Sequence, residues 1–145
     1  MASRALSDLH PAAEKLARRF TARCREAGLD VLIYCTLRTA REQNELYAQG
    51  RGKPGLVVTN AKGGQSAHNY GLAFDCCPMR NGKLVWGSRD ALYDQMGVIG
   101  EAVGLEWAGR WKSLPGSRRL QLLESVHFQF PGWREFVEKE GLKCV

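Results

Sequence analysis

Two short segments of this 145-residue sequence concentrate side chains that can bind a metal ion. His68 and Asp75 lie seven positions apart in the first segment, and Glu124 and His127 lie three positions apart in the second. Two imidazoles and one carboxylate suffice for a catalytic zinc ion, because a fourth, open position then remains for water. Glu124 is close enough to His127 to act as general base for that water, whose pKa zinc lowers toward neutrality. The chemistry predicted is hydrolysis at a carbonyl carbon.

Spacing alone does not decide between this site and ordinary structural roles for the same residues. A His-x6-Asp pattern is much less specific than the HExxH pattern of zinc peptidases. By itself, Asp75 is also consistent with a carboxylate at a strand end, and Glu124 with a solvated helix residue. We expect the third histidine, His10, to be a hydrogen-bonded residue at the start of a helix.

Two of the predicted ligands, Asp75 and His127, fall on short segments with strand character, 71–77 and 126–130. Alternate residues of a strand share a face, so Gly71, Ala73 and Asp75 are predicted to lie together, with the two small residues leaving room for an ion and a substrate. His127 and Gln129 share a face of the second strand in the same way. The opposite faces are predicted to be core: Leu72, Phe74, Cys76, Val126, Phe128 and Phe130.

Other elements must position these strands. Apolar spacing predicts helices over 11–27, 89–103 and 132–140 and a short helical run before Glu124. A further helix over 40–49 starts at a capping box of Thr39 and Glu42. Strands are predicted over 31–35, 83–86 and 105–107, with Asn81-Gly82 as a hairpin turn, and long loops over 51–65 and 108–118. The order of elements indicates a single α+β domain over residues 1–145 with a small, mostly antiparallel sheet.

Composition limits the classes of function. A hydrophobic content of 44% with 25% charged residues is typical of a globular protein. The net charge of +6 favours a polyanionic partner such as nucleic acid or bacterial cell wall. Because the arginines are scattered and no nucleic-acid-binding motif is present, we expect no nucleic acid partner.

The five cysteines form no CxxC pair, and their odd number argues against a disulfide framework. We expect reduced thiols that pack as small hydrophobic side chains in a protein made in the cytoplasm. The N-terminal residues contain no apolar stretch typical of a signal peptide, and no apolar run is long enough to span a membrane.

The pattern Ser66-x-His68-x-x-Gly71-x-Ala73-x-Asp75, followed by Glu124-x-x-His127, resembles the zinc D,D-peptidase family. That family includes D-alanyl-D-alanine carboxypeptidases and dipeptidases and the L-alanyl-D-glutamate endopeptidases of phage lysis. The likeness extends over roughly residues 31–130 and includes the segments 36–39, 43–51, 58–61 and 105–111.

The resemblance implies a role for each matching residue. His68, Asp75 and His127 would bind one zinc ion per chain, and Glu124 would be the catalytic base. Arg38 would polarise the scissile carbonyl and stabilise the oxyanion, a role that suits a permanently charged guanidinium. Two residues would support the site by hydrogen bonds, Ser66 and Gln43. Two aromatic residues are assigned either to the substrate groove or to the core or rim, Tyr70 and Trp107.

The function implied is that of a phage-type endolysin, which hydrolyses the L-Ala–D-Glu bond of the peptidoglycan stem peptide. We expect a monomer without a separate wall-binding domain, which stays in the host cytoplasm until a holin opens the membrane. Glu124 departs from the Asp common in the phage endopeptidases, while the dipeptidase branch uses Glu. The alternatives are therefore a D-Ala-D-Ala dipeptidase or carboxypeptidase, and a non-catalytic peptidoglycan-binding module on the same scaffold.

Overall fold

The structure, a computed structural model, describes residues 1–111 and 118–145, the second range with side chains from residue 122 onward. Within these residues, the helices are α1 (Pro11–Glu26), α2 (Ala40–Ala48), α3 (Ala91–Ala102), α4 (Arg118–Ser125) and α5 (Trp133–Glu140). The strands are β1 (Asp30–Cys35), β2 (Ala73–Arg80), β3 (Lys83–Leu84), β4 (Glu106–Trp107) and β5 (His127–Gln129). Short 3-10 helices cover Leu6–Asp8, Ala67–Tyr70 and Ala108–Arg110. The predicted α+β class is confirmed; residues 112–117 of the predicted loop 108–118 lie outside the described residues.

The five strands form one antiparallel sheet in the order β1-β2-β5-β4, with β3 paired to the end of β2 on the edge opposite β1. The β2–β3 connection is the predicted hairpin, in which Asn81 and Gly82 both have positive φ, 52° and 74°. Consecutive positive φ values are those of a type I′ turn, which Asn-Gly favours. β2 pairs with both β1 and β5 and is therefore the central strand that carries the site.

One face of the sheet is covered by α1 and α3. The ring of Phe20 on α1 lies 5.5 Å from that of Phe74 and 4.9 Å from that of Phe128. Gly97 and Gly100 let α3 approach the sheet, because a Cβ at either position would lie 2.3 Å from a ring atom of Trp107 or Phe128. The predicted core faces of both strands are confirmed. Their members are buried or packed against the buried cluster: Leu72, Phe74, Cys76, Val126, Phe128 and Phe130.

Helix starts follow the sequence signals. His10 is the N-cap of α1, where its Nδ1 accepts a hydrogen bond from the Ala12 N–H. The capping box of Thr39 and Glu42 is present at α2. Asp90 caps α3 and forms a bidentate ion pair with Arg80 at 2.6 and 2.9 Å.

The predicted start of the central strand was wrong. β2 begins at Ala73, and Gly71 instead ends the 3-10 helix Ala67–Tyr70 in the left-handed conformation, with φ 68°. A Cβ at position 71 would lie 2.8 Å from the His10 backbone nitrogen, which donates to the Gly71 carbonyl. Ala73 is fully buried. The small residues therefore serve a tight turn and a packed sheet, and they do not open space for a substrate.

The cysteines are free thiols. Four of them are buried, as predicted. The prediction was wrong for Cys144, which is exposed in the C-terminal segment after α5 and is not part of the core. None of the helices in the described part of the chain is long and apolar enough to cross a membrane.

Candidate metal centre

Three side chains predicted to bind metal converge at one point on the uncovered face of the sheet. Oδ1 of Asp75 lies 3.2 Å from His68 Nε2 and 3.1 Å from His127 Nδ1. Asp75 and His127 are register partners on β2 and β5, and His68 approaches from the 3-10 helix that precedes β2. Two imidazole nitrogens and a carboxylate oxygen, each supplied by a different element, form a donor set suited to zinc.

A backbone carbonyl, that of Thr36, holds the ring of His68 in one orientation. The Nδ1 atom of His68 lies 2.7 Å from the carbonyl oxygen of Thr36. Because a carbonyl oxygen only accepts, Nδ1 carries the proton and Nε2 presents its lone pair toward Asp75. Such a hydrogen bond behind a histidine ligand is typical of metal sites.

Ser66 and Asn69 fix the short helix that carries His68. The Ser66 hydroxyl accepts from the His68 N–H at 3.3 Å, and Ser66 and Asn69 together form a capping box. Asn69 is fully buried, and its amide nitrogen donates to the Arg38 carbonyl at 2.9 Å, while the Arg38 N–H donates to the His68 carbonyl. Asn69 was not predicted as a site residue. Its position next to His68 was a weak signal, because a polar residue in a short helix is usually exposed.

The charges at the site favour a cation. Burial by itself would raise the pKa of Asp75, but the hydrogen bond and charge of His127 hold the pKa of this carboxyl well below its ordinary range. Burial also lowers the pKa of His68, so this ring is neutral. For His127, the hydrogen bond and charge of Asp75 overcome burial and raise the pKa. The ionised Asp75 and the neutral His68 have the protonation that metal ligands require, and His127 must give up any second proton when a metal binds.

Arg38 projects into the same site. Its Nη2 lies 3.7 Å from Asp75 Oδ2, and its Nη1 donates to Gln43 Oε1 at 2.9 Å. Gln43 is 1% exposed, and its amide nitrogen donates to the Ala61 carbonyl at 2.9 Å. The guanidinium is therefore oriented from α2 and the following loop, beside the predicted metal ligands.

Cys35 is a further side chain at the site that sequence analysis did not single out. The register between β1 and β2 shifts between Ile33 and Cys35, which places Cys35 opposite Asp75. Its Sγ accepts from Arg38 Nη2 at 3.3 Å and lies 3.8 Å from His68 Nδ1. Burial raises the pKa of this thiol to about 11. Cys35, His68 and Asp75 form a second possible ligand group, since their ligand atoms all lie within 4.8 Å of one another.

An open cleft of about 1460 Å³ runs across this face of the sheet. Arg38, the three predicted ligands and Glu124 line it, as do Ser66 and four aromatic residues, Tyr34, Tyr70, Trp111 and Trp133. Glu124 is half-buried on α4, three residues before His127, the first residue of β5. The base and the guanidinium predicted from sequence thus share one cleft with the ligands.

The two predicted aromatic residues have different positions. Tyr70 lines the cleft, and its hydroxyl donates to the Gly64 carbonyl at 2.8 Å. Trp107 is 5% exposed, and its Nε1 donates to the Ser125 carbonyl at 2.8 Å. Of the two alternatives for Trp107, the structure shows the core position, because α3 packs directly on its ring. Trp111 occupies the cleft wall instead, with its ring centroid 5.9 Å from that of His127.

Comparison with known proteins gives consistent matches. Residues 59–130 match a family model described as D-alanyl-D-alanine carboxypeptidase. Over 125 residues the chain is 38% identical to the peptidoglycan L-alanyl-D-glutamate endopeptidase CwlK of Bacillus subtilis. The aligned region covers 81% of this chain and 75% of CwlK.

Solved structures show the same fold at lower identity. The L-Ala–D-Glu endopeptidase ChiX of Serratia marcescens superposes with a TM-score of 0.63 at 22% identity, covering 94% of this chain and 92% of ChiX. The vancomycin-resistance D,D-pentapeptidase VanY, in complex with Zn(II), superposes with a TM-score of 0.61 at 15% identity, covering 92% of this chain and 80% of VanY.

The identity and coverage of CwlK, together with the family model that spans Asp75, Glu124 and His127, settle the relationship. The chain belongs to the zinc D,D-peptidase family, the metallopeptidases that include the D-alanyl-D-alanine carboxypeptidases and the peptidoglycan L-alanyl-D-glutamate endopeptidases.

Proposed function

We propose that this protein is a zinc-dependent endopeptidase that hydrolyses the L-Ala–D-Glu bond of the peptidoglycan stem peptide. The observation that carries the proposal is the convergence of His68, Asp75 and His127 on one point in a cleft that Arg38 and Glu124 also line. The choice of bond is supported by the 38% identity to CwlK over 125 residues. The net charge of +6 suits an anionic wall polymer.

His68, Asp75 and His127 would hold one zinc ion per chain. When bound there, zinc acts as a Lewis acid toward a carbonyl group and lowers the pKa of water. The surrounding residues supply acid–base catalysis and stabilise the charge that develops on the substrate. Glu124 takes the proton of the attacking water and returns it to the leaving amine, as a general base and then a general acid.

Arg38 stabilises the negative charge that develops on the carbonyl oxygen. Its guanidinium is permanently charged and pre-oriented by Gln43 Oε1 at 2.9 Å, so little reorganisation is needed during the reaction. Ser66 holds the helix of His68 in place through the His68 N–H. Tyr70 and Trp111 line the cleft and offer apolar surface to the substrate.

Digestion of purified sacculi by wild-type protein and by Glu124→Gln tests this mechanism. We expect the variant to bind zinc with a stoichiometry equal to that of the wild type. We expect its hydrolysis rate to fall by about 10²- to 10⁴-fold, the usual contribution of a general base. Wild-type rates in a zinc-loaded Glu124→Gln variant would refute the assigned base.

A second candidate is a D-Ala-D-Ala carboxypeptidase or dipeptidase, which the description of the matching family model favours. It would use the same zinc ligands and base but release D-Ala from the end of the stem peptide. A non-catalytic binding module is the third candidate, and it predicts zinc binding without hydrolysis.

We further propose a biological role as a phage-type endolysin. Supporting it is the likeness of residues 36–51 to the segment that precedes the metal motif in phage endopeptidases. The protein would act as a monomer of one domain, remain in the host cytoplasm until a holin opens the membrane, and bind no nucleic acid. Expression in a bacterium should lyse the cells only when a holin is co-expressed, and lysis without a holin would contradict this role.

A further inference from the structure

Behind His127, a chain of hydrogen bonds leads away from the metal centre. His127 Nε2 lies 2.9 Å from Gln129 Oε1, and Gln129 Nε2 donates to Glu106 Oε2 at 2.9 Å. Glu106 Oε1 in turn accepts from the indole N–H of Trp111 at 3.2 Å. The chain therefore connects a predicted metal ligand with an exposed aromatic residue of the cleft wall.

The chemistry of Glu106 fixes the direction of every hydrogen bond in the chain. An ionised carboxylate only accepts, so the side chain of Gln129 must turn its amide N–H₂ toward Glu106. Its amide oxygen then faces His127 and also only accepts. The proton of a neutral His127 ring must therefore lie on Nε2, which leaves the lone pair on Nδ1, the atom 3.1 Å from Asp75 Oδ1.

Backbone pairing holds the members of the chain in place. Glu106 and Gln129 are register partners on β4 and β5, and Gln129 is opposite the small Ala73 on β2. Gln129 is 7% exposed, so its amide has little access to water as an alternative partner. A buried amide held between a histidine and a carboxylate has one stable orientation, because only its N–H₂ group can donate to the carboxylate.

We propose that Gln129 and Glu106 are positioning residues that hold His127 in the Nε2–H tautomer, so that its Nδ1 binds zinc. The proposal rests on the zinc site proposed above. It assigns the side chain of Gln129 a function that extends beyond strand pairing. Trp111 completes the chain and links the metal ligand to the wall that a substrate would contact.

Zinc affinity of purified variants, measured by competition with a chelator, tests the proposal. Gln129→Met keeps the approximate volume but removes the acceptor, and we expect affinity to fall by about 10- to 100-fold, as for other partners behind histidine ligands. The matched control is Gln95→Met on the exposed face of α3, which should bind as the wild type does. Equal affinity of folded Gln129→Met and wild type would overturn the proposal.

Exchanging the carboxylate of Glu106 with the amide of Gln129 tests whether these side chains orient His127 or only fill space beside it. In Glu106→Gln, the fixed direction of the chain is lost, and affinity should fall. Combining Glu106→Gln with Gln129→Glu places a carboxylate next to His127 and an amide donor behind it, which again demands a proton on Nε2. Zinc affinity should then recover, and no recovery would contradict the positioning role even if Gln129→Met does not fold.

Histidine ring NMR on the zinc-free protein at alkaline pH gives a readout independent of binding. We expect His127 to populate the Nε2–H tautomer in the wild type and a mixture of tautomers in Gln129→Met. The same mixture in both would overturn the inference. If the wild type itself bound no zinc, the proposed function would fail, whereas unchanged affinities among zinc-binding variants would remove this inference alone.

Discussion

Asp75 and His127 are register partners on adjacent antiparallel strands, and their Oδ1 and Nδ1 atoms are 3.1 Å apart. The spacing between these two predicted ligands is therefore set by the hydrogen bonds of the sheet. Such a pair is rigid, which limits the reorganisation needed when a metal binds. The third predicted ligand, His68, is joined to the same sheet through Thr36, the residue that follows β1.

Replacing Gln43 tests whether Arg38 must be pre-oriented. Gln43→Met leaves the guanidinium without its Oε1 partner and the Ala61 carbonyl without a donor. The free energy of unfolding should fall by about 1–3 kcal/mol, the cost of unsatisfied buried polar groups. Hydrolysis should fall by at least about tenfold, because small misplacements of catalytic groups are costly. Denaturant unfolding and hydrolysis assays check both, and a wild-type rate would show that Arg38 needs no support.

Replacing Cys35 decides between the two ligand groups. Cys35→Ala removes a thiol that accepts from Arg38 at 3.3 Å but leaves His68, Asp75 and His127 intact. We expect one zinc per chain and a loss of affinity of at most about tenfold, the lower end of the range for a side chain that contacts a ligand without binding the metal. Zinc content measured by mass spectrometry, together with a chelator titration, provides the check. Loss of bound zinc would place the thiolate among the ligands.

Alkaline pH should destabilise the fold through its buried thiols. Burial raises the pKa of Cys24 from its ordinary value of 9.0 to about 11. As pH rises from 9.0 toward 11, the unfolded chain loses this proton while the folded chain retains it. The free energy of unfolding therefore decreases by up to about 1.4 kcal/mol per pH unit for each such thiol.

Cys24→Ala should consequently show a shallower loss of stability over this pH range than the wild type. Val98→Ala is the matched control, because this exposed side chain carries no ionisable group and its truncation should leave the slope unchanged. Chemical unfolding at a series of pH values measures the slopes. Parallel slopes for Cys24→Ala and the wild type would show that this thiol does not contribute.

Because α3 lies so close to the sheet, we expect one methyl group added at Gly100 to lower the free energy of unfolding. In Gly100→Ala, the new Cβ would lie 2.3 Å from Phe128 Cε1, on the residue between His127 and Gln129. Overpacking of this kind costs about 1–3 kcal/mol of unfolding free energy, more than the gain in helix propensity of about 1 kcal/mol. Val98→Ala, on the exposed side of the same helix, should be nearly neutral. Thermal unfolding compares them, and a stabilised Gly100→Ala would show that Phe128 has room to move.

Sequence analysis found the elements and residues whose signals are local. The alternation of apolar residues on β2 and β5 predicted the core faces and placed Asp75 and His127 on the free face. The hairpin at Asn81-Gly82 and the capping box of Thr39 followed from turn and cap chemistry. The ligand set itself depended on the family likeness, because the His68–Asp75 spacing is not specific.

What could not be predicted depends on contacts between distant segments. Cys35 faces Asp75 because of an irregular register in β1, and nothing in the residues 31–35 indicates such an irregularity. Gly71 is not part of the strand, because contact with the backbone of His10 requires a positive φ at this position. The local sequence does not reveal that contact. Glu106 and Gln129 become partners only through the pairing of β4 with β5.

The most direct measurement is mass spectrometry of the fragments released from purified sacculi by the zinc-loaded wild type and by Glu124→Gln. The account predicts new amino termini at D-Glu in the wild-type digest and almost none in the variant digest. Release of free D-Ala in place of D-Glu termini would contradict the assigned bond and support the carboxypeptidase alternative. Intact stem peptides after treatment with the zinc-loaded wild type would contradict the assignment of peptidase activity itself.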